Sequence, residues 1–118
     1  VDERGEVAVM LEGQPQMEVG CHTDVMDSCP KSVAIPMLLR SANPQIIAVD
    51  EITQARDLAA MEEAAYCGVR FLATLHADSA DDLHRRPLLQ KLQKMHLFEK
   101  AITIHMADTL RRYTIRDL

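Results

Sequence analysis

Two carboxylates, Asp50 and Glu51, stand side by side at the end of an apolar run, IIAVDEI, over residues 46–52. An acid at the tip of a buried strand can order the water shell of a Mg²⁺ ion, which keeps most of its waters and takes only one or two protein carboxylates. A second acid beside it is placed to polarise the water that attacks a γ-phosphorus, a reaction in which the protein supplies position and electrostatics. On that chemistry Asp50 is the metal-side residue, and Glu51 is the catalytic one. The competing reading is a strand that enters a solvated loop or caps the next helix. Further along, VRFLATLH ends on Thr74 and His76. A Thr or His at such a tip can hydrogen-bond the γ-phosphate or the attacking water. Otherwise His76 is a strand-end histidine satisfied by backbone groups. Asp2 and Glu3, in VDER, make a third acidic pair after a Val that reads as the last residue of a strand; a charged turn would look the same.

These residues need a sheet to carry them. QIIAVD lacks alternation and is expected to be a strand buried on both faces, as central parallel strands are. TQARDLAAMEEAAYC reads as a helix with Leu58, Met61 and Ala65 on one face and Gly68 at its C-terminal cap. VRFLATL is a second apolar strand. Upstream, GEVAVML has strand composition, EGQPQ is a turn, and residues 20–32 are polar and loop-like. VAIPMLLRSA predicts a short helix with Pro36 near its first turn and Asn43-Pro44 ending it. Ser79 with Asp82 resembles a capping box for a helix through Arg86, and Pro87 restarts a helix as PLLQKLQKM. AITIHM places Ile102, Ile104 and Met106 on one face, and RRYTIR is a closing strand. Alternating strands and helices predict a mainly parallel α/β sheet with right-handed crossovers, whose ligands sit beyond the carboxyl ends of the strands.

The chain has 118 residues, 47% hydrophobic and 26% charged, the composition of one soluble globular domain spanning 1–118. A net charge of −5 provides no basic field for nucleic acid, although HRRPLLQKLQK could form a local basic face. Cys21, Cys29 and Cys67 are odd in number and form no C-x-x-C, which points to a reducing compartment. No run approaches the ~20 apolar residues of a membrane helix. The sequence opens on Val1 as if on the end of a strand, so a piece of a longer chain is expected. Its four Gly, at 5, 13, 20 and 68, form no G-x-x-x-x-G-K-[ST]. Without that cradle of N–H groups and its Lys, this piece alone is not expected to hydrolyse ATP.

VDERGE, TDVMDSCPKSVAIPMLLRSANPQIIAVDEI and GVRFLATLHADSADDLHRRP resemble the C-terminal half of the stage III sporulation protein AA family. That family is similar to the motor ATPases of type II secretion and type IV pili. The resemblance runs from Val1 to about Phe98 and is looser beyond. It implies a partial RecA-like, ASCE-type P-loop fold lacking the Walker A strand and helix. Asp50 and Glu51 would be the Walker B pair, Thr74 and His76 would lie on the histidine-box strand, and Asp2 and Glu3 would match the acidic box. It implies ATP and Mg²⁺ in the intact parent, none bound by this piece, and a homo-oligomeric ring. Arg85 and Arg86 keep the family's basic pair and could reach a neighbouring subunit's phosphate, as could Arg40; on their own they read as a solvated helix face. The implied partners are sporulation channel membrane proteins. The implied place is the cytoplasm of the mother cell of a spore former, peripheral to the inner membrane. His22 departs from the family's Arg before TDV, and Thr53-Gln54-Ala55 departs from the Gly expected after VDEI.

The missing Walker A strand would lie between VRFLATL and AITIHM in such a sheet. Those two strands are then expected to pair directly or to accept a strand from a second molecule, giving a dimer. Two other readings stand beside the ATPase: a non-hydrolysing or nucleic-acid-associated α/β binding module, and a receiver-like domain phosphorylated on Asp50. The last would need a Lys at a later strand end, which AITIHM lacks.

Overall fold

Pro30 ends the polar loop, and the chain turns straight into helix at Lys31. The structure, a computed structural model, describes residues 1–77 and 82–118, apart from the Leu83 side chain. The chain divides into two compact units, Val1–His76 and Ala77–Leu118.

The first unit contains β1 (Met10–Leu11), β2 (Gln14–Pro15), α1 (Lys31–Ser41), β3 (Ile46–Glu51), α2 (Ala55–Tyr66) and β4 (Arg70–Thr74). β3 and β4 run parallel, Ile46 opposite Arg70 through Val49 opposite Ala73, joined by α2. A one-residue bulge at Asp50 then brings Glu51 opposite Thr74. Val1 lies along the other edge of β3: its nitrogen donates to the Ala48 carbonyl, and its carbonyl accepts the Asp50 N–H at 3.2 Å. That is the bonding pattern of a parallel neighbour, confined to this one residue. The core is Ala34 and Ile35 of α1, Leu58, Met61 and Ala64 of α2, and Ile47 and Val49 of β3. On α2 the buried row uses Ala64 where Ala65 was expected, and Ala65 is half-buried. Asp57 accepts the Gln54 N–H at 3.2 Å and caps the start of α2, and Gly68 follows its end at φ +90°, a left-handed position that favours glycine.

The second unit contains α3 (Asp82–Arg85), α4 (Pro87–Lys94), β5 (Lys100–Ala107) and β6 (Leu110–Asp117). β5 and β6 form an antiparallel hairpin closed by Asp108 and Thr109, both at positive φ (51° and 81°). This two-residue turn twists with its strands, so β5 finds its partner locally. Ile102, Ile104 and Met106 share one face, as their alternation predicts.

Several expectations need correction. The chain is mixed α/β, but among the described residues the parallel ladder is two strands wide, β3 and β4, with single-residue parallel bonding at Val1 and an isolated Asp2–Asp27 bridge beside it. The third apolar strand, AITIHM, is spoken for by β6 in place of VRFLATL. β3 is covered on one face only: Ile47 and Val49 are buried, while Ile46 is 55% exposed and Ala48 also faces out. GEVAVML yields only the two residues of β1, because the backbone N–H groups of Glu6, Val7 and Ala8 turn to the Asp2 carboxylate and leave no ladder. α1 starts two residues before Val33, which puts Pro36 mid-helix. There its missing N–H costs one backbone bond. The Ser79 half of the capping box lies outside the described residues.

Candidate functional site

Parallel pairing sends the carboxyl ends of β3 and β4 to the same end of the sheet, so Asp50, Glu51 and Thr74 meet there, with His76 two residues past the end of β4. Asp50 is 5% exposed. Its Oδ2 accepts the Glu3 N–H at 2.9 Å, and its Oδ1 lies 2.6 Å from Lys31 Nζ. No donor is aligned on Oδ1 for a hydrogen bond, so that short contact is a charge pairing. Glu3 Oε2 takes the same ammonium at 2.7 Å. One buried lysine thus ties the turn after Val1, the start of α1 and the tip of β3. Glu51 is partly exposed, its carboxylate 3.8 Å from Arg4 Nη1, an outer contact of little energetic weight.

Asp2 lies beside this group without joining it. Its Oδ1 accepts the Glu6 N–H at 2.8 Å, and its Oδ2 accepts those of Val7 at 3.1 Å and Ala8 at 2.8 Å. The residue predicted to bind a cofactor is therefore committed to folding the loop that follows it. Burial works against its charge, but the bonds from Ala8, Glu6 and Val7 prevail and hold its pKa below the usual carboxylate range. Glu3 is held low by its hydrogen bond to Lys31. Burial pulls the Lys31 pKa down, yet the Asp50 and Glu3 carboxylates outweigh it and leave the ammonium above its ordinary value.

These directions set a pH profile. The depressed acids contribute stability that is complete above their unfolded values, about 4, and is lost as pH falls through their folded ones. The raised lysine contributes below its unfolded value, about 10.4, and is lost as pH rises through its folded one. Thermal midpoints should form a plateau with both an acid and an alkaline limb. A midpoint that stays level on the alkaline side would remove Lys31 from the stability of the fold.

Arg85 ends α3, and Arg86 precedes α4, 3.2 Å from Asp82; both are exposed and lie in the second unit. Arg40, on α1, is exposed, and its Nε donates to the Pro36 carbonyl at 3.2 Å.

Lys31 is the residue that pattern reasoning missed. A signal was available: α1 has no acid in its first turn and begins on a cation, against the helix dipole. A lysine in that place implies carboxylates elsewhere to offset the cost.

An acid set of this kind suits a hard cation. Among the described residues no three or more His, Cys, Asp or Glu converge as metal ligands. That donor set does not fit an all-protein metal cage; one or two carboxylates are what a hydrated Mg²⁺ takes, and Asp50 Oδ1, now beside Lys31, is the buried oxygen that would meet it.

A model of the sporulation stage III, protein AA family matches residues 1–114, beyond the Phe98 where the resemblance loosens. Stage III sporulation protein AA of Bacillus subtilis (strain 168) is 38% identical over 107 residues, covering 91% of this chain and 35% of that protein. The chain thus spans about a third of the length of that curated relative. No solved structure matches. Among the described residues no helix is long and apolar enough to cross a membrane. With the family match running through the acidic turn, Lys31 and both strand tips, the chain belongs to the sporulation stage III, protein AA family.

Proposed function

We propose that this chain carries the acidic half of an ATP-hydrolysing site. The observation that carries the reading is the common end of β3 and β4: Asp50 and Glu51 close one strand, and Thr74 stands opposite Glu51 on the other. Asp50 orders a hydrated Mg²⁺, Glu51 takes the attacking water, and Thr74 and His76 meet the γ-phosphate or that water. Mg²⁺ bound with the nucleotide would supply positive charge to the transferring phosphoryl group, with Asp50 the residue that would hold its water shell. A Gly-rich loop elsewhere in a longer chain supplies the phosphate cradle. Assembled as a ring, that protein uses Arg85, Arg86 or Arg40 toward a neighbour's phosphate and drives a sporulation channel complex of membrane proteins from the mother-cell side of the inner membrane.

The second reading, an α/β binding module without hydrolysis, has one observation in its favour: both Asp50 oxygens already face internal partners, Glu3 and Lys31. A fluorescent ATP analogue separates the two. A longer chain carrying this sequence together with a phosphate-binding loop should bind it with Mg²⁺ on the order of a hundredfold more tightly than these 118 residues alone. Equal and negligible binding by both would leave the binding module.

A further inference from the structure

Lys31 is an unusual investment for a helix start. Its side chain is 4% exposed, and it lies within 2.7 Å of carboxylates from two other segments, Glu3 and Asp50. Burying an ammonium is costly unless its partners compensate, and removing either side of such a set leaves an uncompensated charge. The geometry at Asp50 is uneven. Oδ2 has an aligned backbone donor in the Glu3 N–H, whereas Oδ1 has the ammonium close by with no donor aligned on it. An ammonium 2.6 Å from that oxygen stands where a small cation would meet the carboxylate. Two carboxylates, Glu3 and Asp50, face the single ammonium of Lys31, leaving one negative charge on that set.

We propose that the Lys31 ammonium occupies the cation position of this acid set, between Asp50 and Glu3, and that a divalent cation can be ordered there only when Lys31 moves away. Lys31 is then a positioning residue that keeps the acids charged, folded and closed to metal. Its flexible stem and three donors suit a phosphate as the group that draws it off, so that cation and phosphate enter together. This extends the ATPase reading, because it assumes that Asp50 is the acid that orders the cation.

The test uses this chain without nucleotide, so it can fail while turnover by a longer protein stands, and the reverse. Mn²⁺ binding is followed by the loss of its free-ion paramagnetic resonance, and thermal midpoints are taken with and without millimolar Mg²⁺. The parent should bind Mn²⁺ weakly, with a midpoint unmoved by Mg²⁺. Lys31→Met should bind one Mn²⁺ at least about tenfold more tightly. Its midpoint, lowered by the unpaired acids, should recover with Mg²⁺. Lys31→Met with Asp50→Asn should lose the gain in Mn²⁺ affinity. A lysine that serves only as a structural clip would move the midpoint and not the metal affinity. A folded Lys31→Met that binds Mn²⁺ no better than the parent overturns the proposal, and so does an unfolded one that Mg²⁺ does not restore.

Discussion

Glu51→Gln, made in a longer chain that also carries a phosphate-binding loop, should bind ATP as tightly as its parent and turn it over about 10²- to 10⁴-fold more slowly. The substitution keeps the size of the side chain and removes its ability to take a proton or orient water as an anion. Binding should survive because Glu51 lies outside the Lys31 triad, with Arg4 at 3.8 Å as its charged neighbour among the described residues. Its partial exposure leaves the carboxylate accessible to a water, whereas Asp50 is enclosed. A loss confined to kcat, with KM unchanged, is the signature of an interaction made in the transition state alone. Hydrolysis at the parent rate would take Glu51 out of the mechanism.

Asp2→Ala should strongly destabilise the fold of the first unit. Three backbone N–H groups, from Glu6, Val7 and Ala8, depend on this one carboxylate, and Ala8 itself is buried. A hydrogen bond to a charged group contributes about 1.5–3 kcal/mol. Because the three share one acceptor and are not additive, a loss of about 3–5 kcal/mol is expected, a large part of a typical domain's stability. Asp2→Asn keeps one acceptor oxygen and should lose roughly half as much. Urea midpoints measure both. An unchanged midpoint for Asp2→Ala would mean that the loop of residues 5–9 is held by something other than Asp2.

That behaviour of Asp2 also explains what the sequence could and could not disclose. The parallel pairing of β3 with β4 was legible, since two short apolar runs flank an Ala-rich helix ended by Gly68. The acids at the strand tip were legible for the same reason. The fate of GEVAVML was not: its β-branched residues favour a strand, but a carboxylate several residues upstream competes for the same backbone donors. The single-sided burial of β3 was hidden because Ile46 and Ile47 are identical residues facing opposite ways, one out and one in. The departure of AITIHM to a hairpin lay in Asp108 and Thr109, a pair outside the familiar Asn-Gly and Asp-Gly turns, which adopts the same backbone. Lys31 escaped because a salt link between residues 3, 31 and 50 leaves no periodic trace.

Those three positions are far apart along the chain, and their meeting requires the whole first unit to have closed. Contacts of such long span form late and are lost cooperatively. The acid tip therefore forms only as the segments carrying residues 3, 31 and 50 come together. Anything that grips it would steady everything from the opening residues to the second helix.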